Sequence, residues 1–117
     1  MEWLQANKVP AQFHEQIADS FTPGTIRAQV AGPDMHAVRQ WGGTSPEVSY
    51  YLNPAGASTR EILALPPSNT MEHTTHFRIQ DKTPYLDGQI APNFGHQGGG
   101  RQHYVPNLDR LEVMSRE

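Results

Sequence analysis

The chain has 117 residues, which suits one domain around one core and is too short for separate binding and catalytic domains. A net charge of −3 gives no sign of a broad electrostatic footprint for nucleic acid, though it leaves room for a small basic pocket for phosphate, and the absence of cysteine excludes disulfides, thiolate catalysis and Cys-ligated zinc. Ten glycines and ten prolines with 36% hydrophobic residues describe a loop-rich domain of short elements.

No run of about 18 apolar residues is present, so no membrane-inserting segment is expected. The stretch from Met1 to Pro10 lacks the charged start and apolar run of a secretory signal. Residues 11–21 carry the clearest helical pattern: Phe13, Ile17 and Phe21 recur at i, i+4, i+8, while His14, Glu15, Gln16 and Asp19 lie largely off that stripe. Pro23-Gly24 ends any helix there. The next segment, residues 25–31, fits either a helix or a strand.

From Trp41 onward turn signals crowd together: Gly42-Gly43, Ser45-Pro46, Asn53-Pro54 and Gly56. Between them, residues 48–52 are rich in β-formers and read as a strand. Residues 60–65 fit a short helix or strand, closed by Pro66-Pro67. Strands are expected over residues 73–80, 85–90 and 101–105, and a last one around Leu108, Leu111 and Val113. The sum is an α+β domain over residues 1–117, with a short helical N-terminal part (1–35) followed by a small, mostly antiparallel sheet-rich core (36–117).

Three ordered stretches resemble a known family. They are Tyr51-Leu52-Asn53-Pro54-Ala55-Gly56, with Arg39-Gln40-Trp41-Gly42 upstream; Leu65-Pro66-Pro67; and the long run from Gly88 through Ala91-Pro92-Asn93-Phe94-Gly95 and Gly98-Gly99-Gly100 to Gln102. They are similar in order and approximate spacing to the Tyr-Leu-Ser-Pro-x-Gly, Leu-Pro-Pro and Ala-Pro-Trp-Phe-Gly…Gly-Gly-Gly-x-Gln elements of the tuberculosis necrotizing toxin (TNT) domain family. The resemblance spans roughly Arg39 to Tyr104. It implies a fold related to ADP-ribosyltransferase toxins and cleavage of the nicotinamide–ribose bond of NAD or NADP. It also implies a secreted or delivered effector acting in the target-cell cytoplasm, and a cognate immunity protein as partner. NAD(P) would be substrate, with no cofactor, no metal and no nucleic-acid partner.

Carried over residue by residue, the resemblance makes Gln102, His76 and Arg39 the expected catalytic residues. Tyr51, Arg60, Phe94, Gly98, Gly99 and Gly100 are the expected substrate-binding ones. An amide such as that of Gln102 donates and accepts together, so it can hold a ribose hydroxyl or orient a water. Guanidinium forks match phosphate oxygens, which suits Arg39 and Arg60, with Arg78 and Arg101 as rivals. Glycines 98–100 would let backbone N–H groups approach the substrate. Tyr51, Phe94 and Trp41 would stack on a base. The sequence departs from the family where Ile62-Leu63-Ala64 stands in place of an arginine before Leu-Pro-Pro, with Arg60 as the nearest substitute. His73 competes with His76 for the histidine of the following strand.

Two other enzymatic readings remain. Six histidines (His14, His36, His73, His76, His96, His103) are enough to build the acid–base pair of a ribonuclease. Transfer of ADP-ribose to a macromolecule would require a carboxylate near the ribose, for which Asp109, Glu112 and Glu117 are the acids that follow the Gly-rich run. A non-catalytic binding module is the remaining alternative.

Overall fold

Backbone pairing between distant strands organises this chain more than helix packing does. The structure is a computed structural model that describes residues 2–54 and 59–117. Ala55 and Gly56 of the first motif therefore lie outside the described residues. The helices are short: α1 (Glu2–Ala6), α2 (His14–Asp19) and α3 (Arg60–Leu63). The strands are β1 (Arg27–Val30), β2 (Met35–Trp41), β3 (Tyr51–Pro54), β4 (His73–Ile79), β5 (Pro84–Gln89), β6 (Arg101–Tyr104) and β7 (Leu111–Arg116). They form one sheet in the order β1-β5-β6-β3-β2-β4-β7, and every pairing is antiparallel. The domain is α+β.

The sheet is weakest in its middle. β2 and β4 pair along their whole length, from Met35↔Ile79 to Trp41↔His73. Among the described residues, β2 and β3 pair at Ala37↔Pro54 and Val38↔Asn53. Past Val38 the two strands part, and Arg39 enters the seam. Its Nε donates to the Pro46 carbonyl at 2.9 Å and its Nη1 to the Tyr51 carbonyl at 2.9 Å. One guanidinium thus satisfies a carbonyl of β3 and a carbonyl of the loop that leads to it.

Side-chain alternation puts the two larger core clusters on opposite faces of the sheet, and a third, Leu63, Ala64 and Ile90, packs α3 against the β5–β6 connection. Ala37, Leu52, Phe77, Ile79 and Val105 form one cluster with Ala31. Leu86 and Tyr104, which face each other across β5 and β6, form the second with Leu4, Ile17 and Phe21 from the N-terminal helices. Burying a side chain of this size stabilises by about 2 kcal/mol, so these contacts, and not the propensity of five- and six-residue helices, hold α1 and α2 in place.

Several elements differ from the sequence expectation. The ambiguous segment at 25–31 contains strand β1 inside the N-terminal part that was expected to be helical; it forms the exposed edge of the sheet. Of the stripe on residues 11–21, Ile17 and Phe21 are buried, but Phe13 is 44% exposed. Residues Ala11–Phe13 form a 3₁₀ turn, whose three-residue period rotates Phe13 off the line that Ile17 follows. The strand expected over 48–52 begins at Tyr51 and runs on to Pro54. Strand β2 had no counterpart in the sequence reading. Its adjacent Ala37 and Val38 are both buried, which erases the period-two signal of a half-exposed strand.

Candidate functional site

A cleft of about 730 Å³ opens where β2 and β3 part. That volume is within the range of small-molecule sites, roughly 300–1,000 Å³. Arg39, Tyr51 and Gln102 come to it from β2, β3 and β6. One wall is α2 with the residues around it: Gln12, Glu15, Gln16, Asp19 and Ser20. The facing wall is the turn after α3, Leu63 to Pro66, together with Asn69. Ile90, Ala91, Asn93 and Phe94, from the β5–β6 connection, complete the rim.

Each wall is fixed by local chemistry. Thr59 caps α3 by accepting from the Ile62 N–H, and Ala64 ends the helix in the left-handed region at φ 49°. The Leu65-Pro66-Pro67 motif then turns back, and Arg60 Nη1 and the Asn69 N–H both donate to the Pro66 carbonyl. Asn69, nearly fully buried, ties this turn to the sheet by donating to the Gln40 carbonyl at 3.0 Å. On the opposite rim, Asn93 and His96 close a tight turn whose central residues, Phe94 and Gly95, have φ 51° and 75°. Phe94 is 50% exposed there, its ring at the mouth of the cleft. Ala64 and Phe94 are thus non-glycine residues in a costly backbone region, and both border the cleft.

Gln102 is buried in the cleft floor. Its Nε2 donates to the Ser20 carbonyl at 2.9 Å and to Ser20 Oγ at 3.2 Å. Ser20 Oγ in turn donates to the Ile17 carbonyl at 2.6 Å, so the end of α2 holds the amide in one orientation. Gln102 Oε1 has no protein partner among the described residues. Tyr51 lies alongside, its ring 5.3 Å from that of Tyr104. Burial pushes the Tyr51 hydroxyl above its usual pKa, against a smaller lowering by Ser20. Burial and two neighbouring tyrosines push Tyr104 up to about 12. Desolvation lowers Arg39 from the usual arginine value, which leaves it cationic near neutral pH.

The structure thus brings together Gln102, Arg39, Tyr51 and Phe94. It does not bring His76 to them. On β4, His73, Thr75 and Phe77 share the face of Arg39 and Trp41, and His76 points the other way, with Nε2 3.0 Å from Glu117 Oε1. His73 stacks on Trp41, ring centroids 4.3 Å apart, and is also outside the cleft lining. Trp41 donates its Nε1–H to Thr75 Oγ1 at 2.9 Å and is likewise outside. Arg60 is engaged by Pro66, Arg78 by the Pro33 carbonyl, and Arg101 by Asp87.

The glycines need a larger correction. Gly98, Gly99 and Gly100 do not line the cleft, and their N–H groups donate inward, to the carbonyls of Glu61, Ile90 and Ile62. A Cβ on Gly98, at φ +67°, would lie 2.6 Å from the Ile90 carbonyl oxygen, and one on Gly100 would lie 2.9 Å from that of Ile62. The run is glycine so that α3 can lie against the β5–β6 connection.

The sequence reading missed Glu15, Asp19, Gln12, Gln16, Ser20 and Asn69. The signal available for Glu15 and Asp19 was their i, i+4 spacing on the polar side of the helical stripe. No histidine lines the cleft, and neither do Asp109, Glu112 and Glu117. His103 is buried on the reverse face of β6, with Nδ1 3.3 Å from Asp87 Oδ1 but out of line for a good hydrogen bond. Burial there lowers the His103 pKa, with Asp87 opposing. Among the described residues no three His, Asp or Glu side chains are grouped to hold a metal, and no helix is long and apolar enough to cross a membrane.

An antiparallel sheet parted at its centre beside a helix-walled cleft is a fold shared with two solved chains. Tse6, solved in complex with Tsi6, superposes with a TM-score of 0.80 at 13% identity, over 97% of this chain and 90% of that one. Tne2, solved in complex with Tni2, gives 0.69 at 14% identity, over 81% of this chain and 92% of that one. These likenesses define the fold class. Residues 36–115 match the family described as Tuberculosis necrotizing toxin, and the chain belongs to that family. The curated proteins compared with it include no match.

Proposed function

We propose that this toxin-family domain is an NAD(P)+ glycohydrolase, cleaving the nicotinamide–ribose bond to give nicotinamide and ADP-ribose. The observation that carries the reading is Gln102: buried, clamped through Nε2 by Ser20, its Oε1 without a protein partner among the described residues, in a cleft of ligand size that Arg39 also lines.

In the reaction the C–N bond breaks heterolytically. Nicotinamide leaves as a neutral base with the electron pair, so no strong acid has to protonate it. The ribose becomes an oxocarbenium-like cation, by analogy with glycoside hydrolysis, and water adds to it and loses a proton. Positioning and electrostatics are what such a site must supply. Gln102 Oε1 is suited to accept from a ribose hydroxyl or from the attacking water. Arg39 retains N–H donors beyond those given to Pro46 and Tyr51, and these suit the pyrophosphate. Tyr51 and Phe94 offer ring faces for a base, Phe94 from the mouth. Glu15 and Asp19 add negative charge to the cleft lining. None of these roles requires a metal ion.

The ribonuclease reading loses support because no pair of histidines converges in the cleft. The solved structures of Tse6 and Tne2 each contain a second protein. By that parallel, and by the family resemblance, we propose that an immunity protein occludes this cleft and that the domain acts as a delivered effector inside a target cell.

The test is incubation of purified domain with NAD, without added metal, following free nicotinamide, with RNA as a parallel substrate. Nicotinamide release with intact RNA is expected. Cleaved RNA with intact NAD would reverse the assignment.

A further inference from the structure

The charged side chains around the cleft are unevenly matched to phosphate. Among the described residues the lining contains one cation, Arg39, and two carboxylates, Glu15 and Asp19. Two of the Arg39 nitrogens already hold carbonyls in the seam. Arg60, the nearest cation by sequence to the facing wall, is drawn off by Pro66. A diphosphate therefore meets one partly committed guanidinium, and a further phosphate meets none.

Glu15 and Asp19 stand one turn apart on α2, so they share a face, and both are solvent-exposed. Phosphate recognition normally recruits Arg or Lys, and like charges in a cleft disfavour binding. Resting on the glycohydrolase reading, we propose that this wall makes the site selective for NAD over NADP, with Glu15 and Asp19 as the specificity-determining residues. The positive nicotinamide ring is common to both dinucleotides and is attracted equally. The 2′-phosphate is what differs, and it adds up to two negative charges to a ligand bound in a cleft lined by two carboxylates and one guanidinium.

The expected preference is about tenfold in kcat/KM at low salt, since exposed charges a few ångströms apart interact through a mostly aqueous medium. It narrows as salt screens the wall. The experiment measures kcat/KM for NAD and for NADP, at low and high ionic strength, in the natural domain and in two variants. Glu15→Gln/Asp19→Asn keeps shape and removes the charge. Gln12→Lys adds a cation at another cleft-lining position of the same wall. Both are expected to shift the NADP/NAD ratio upward several-fold, with circular dichroism like that of the natural domain. Equal use of both dinucleotides by the natural domain, or a ratio that neither variant moves, overturns the specificity assignment while leaving the glycohydrolase reading intact. No nicotinamide from either dinucleotide would instead overturn the glycohydrolase reading, and this inference with it.

Discussion

The Gly-rich run before β6 and helix α2 offer opposite lessons. Gly98 to Gly100 form the most recognisable stretch of the sequence, yet their N–H groups are consumed by Glu61, Ile90 and Ile62 and none lines the cleft. Helix α2 has no recognisable motif, yet it contributes a wall of the cleft and fixes the amide of Gln102. Close backbone approach admits one residue type, so it leaves a legible mark. A polar helical wall tolerates many residue types and leaves almost none.

That contrast can be broken by mutation. The largest effect is expected at Gln102, where the two regions meet. Gln102→Ala loses about a hundredfold in turnover, comparable to removing one preorganised donor or acceptor from an active site, as steady-state nicotinamide release would show. Next is Gly98→Ala, expected to cost about 2 kcal/mol or more in urea unfolding, because the new methyl meets the Ile90 carbonyl in a left-handed backbone. Its folded fraction should retain turnover, which separates a packing glycine from a substrate-binding one.

Smaller again is Arg39→Met, expected to raise the apparent Kd for NAD about tenfold by calorimetry, with some loss of stability from the two carbonyls left open. The smallest effect concerns the buried face behind the cleft. The pKa of His103 is lowered on folding, so the unfolded chain binds the proton more readily as pH falls through the ordinary histidine range. Stability is full above that range and declines below it. The drop in Tm between about pH 7 and pH 5 should therefore be smaller in His103→Asn than in the natural domain.

Much of the fold could be read from residues 60–113: β4, β5, β6 and the last strand follow from β-formers between turn signals. What stayed hidden was long-range. Nothing local says that β2 and β3 part after Val38, yet that parting creates the cleft and recruits Arg39. Neither His73 nor His76 reaches the cleft, because β4 lies beyond β2, away from β3 and β6, an order the sequence does not disclose. Phe13 failed as a core residue because a 3₁₀ turn replaced the α-helical one. The family resemblance named Gln102, Arg39, Tyr51 and Phe94, and the fold places all four on the lining of one cleft.

The measurement that bears most directly on this account is nicotinamide release from NAD by three proteins: the natural domain, Gln102→Ala and His76→Ala. If the cleft between α2 and β6 is the site, the natural domain and His76→Ala release nicotinamide at similar rates, and Gln102→Ala nearly stops. Full activity in Gln102→Ala with loss in His76→Ala would move the chemistry out of this cleft and contradict the account.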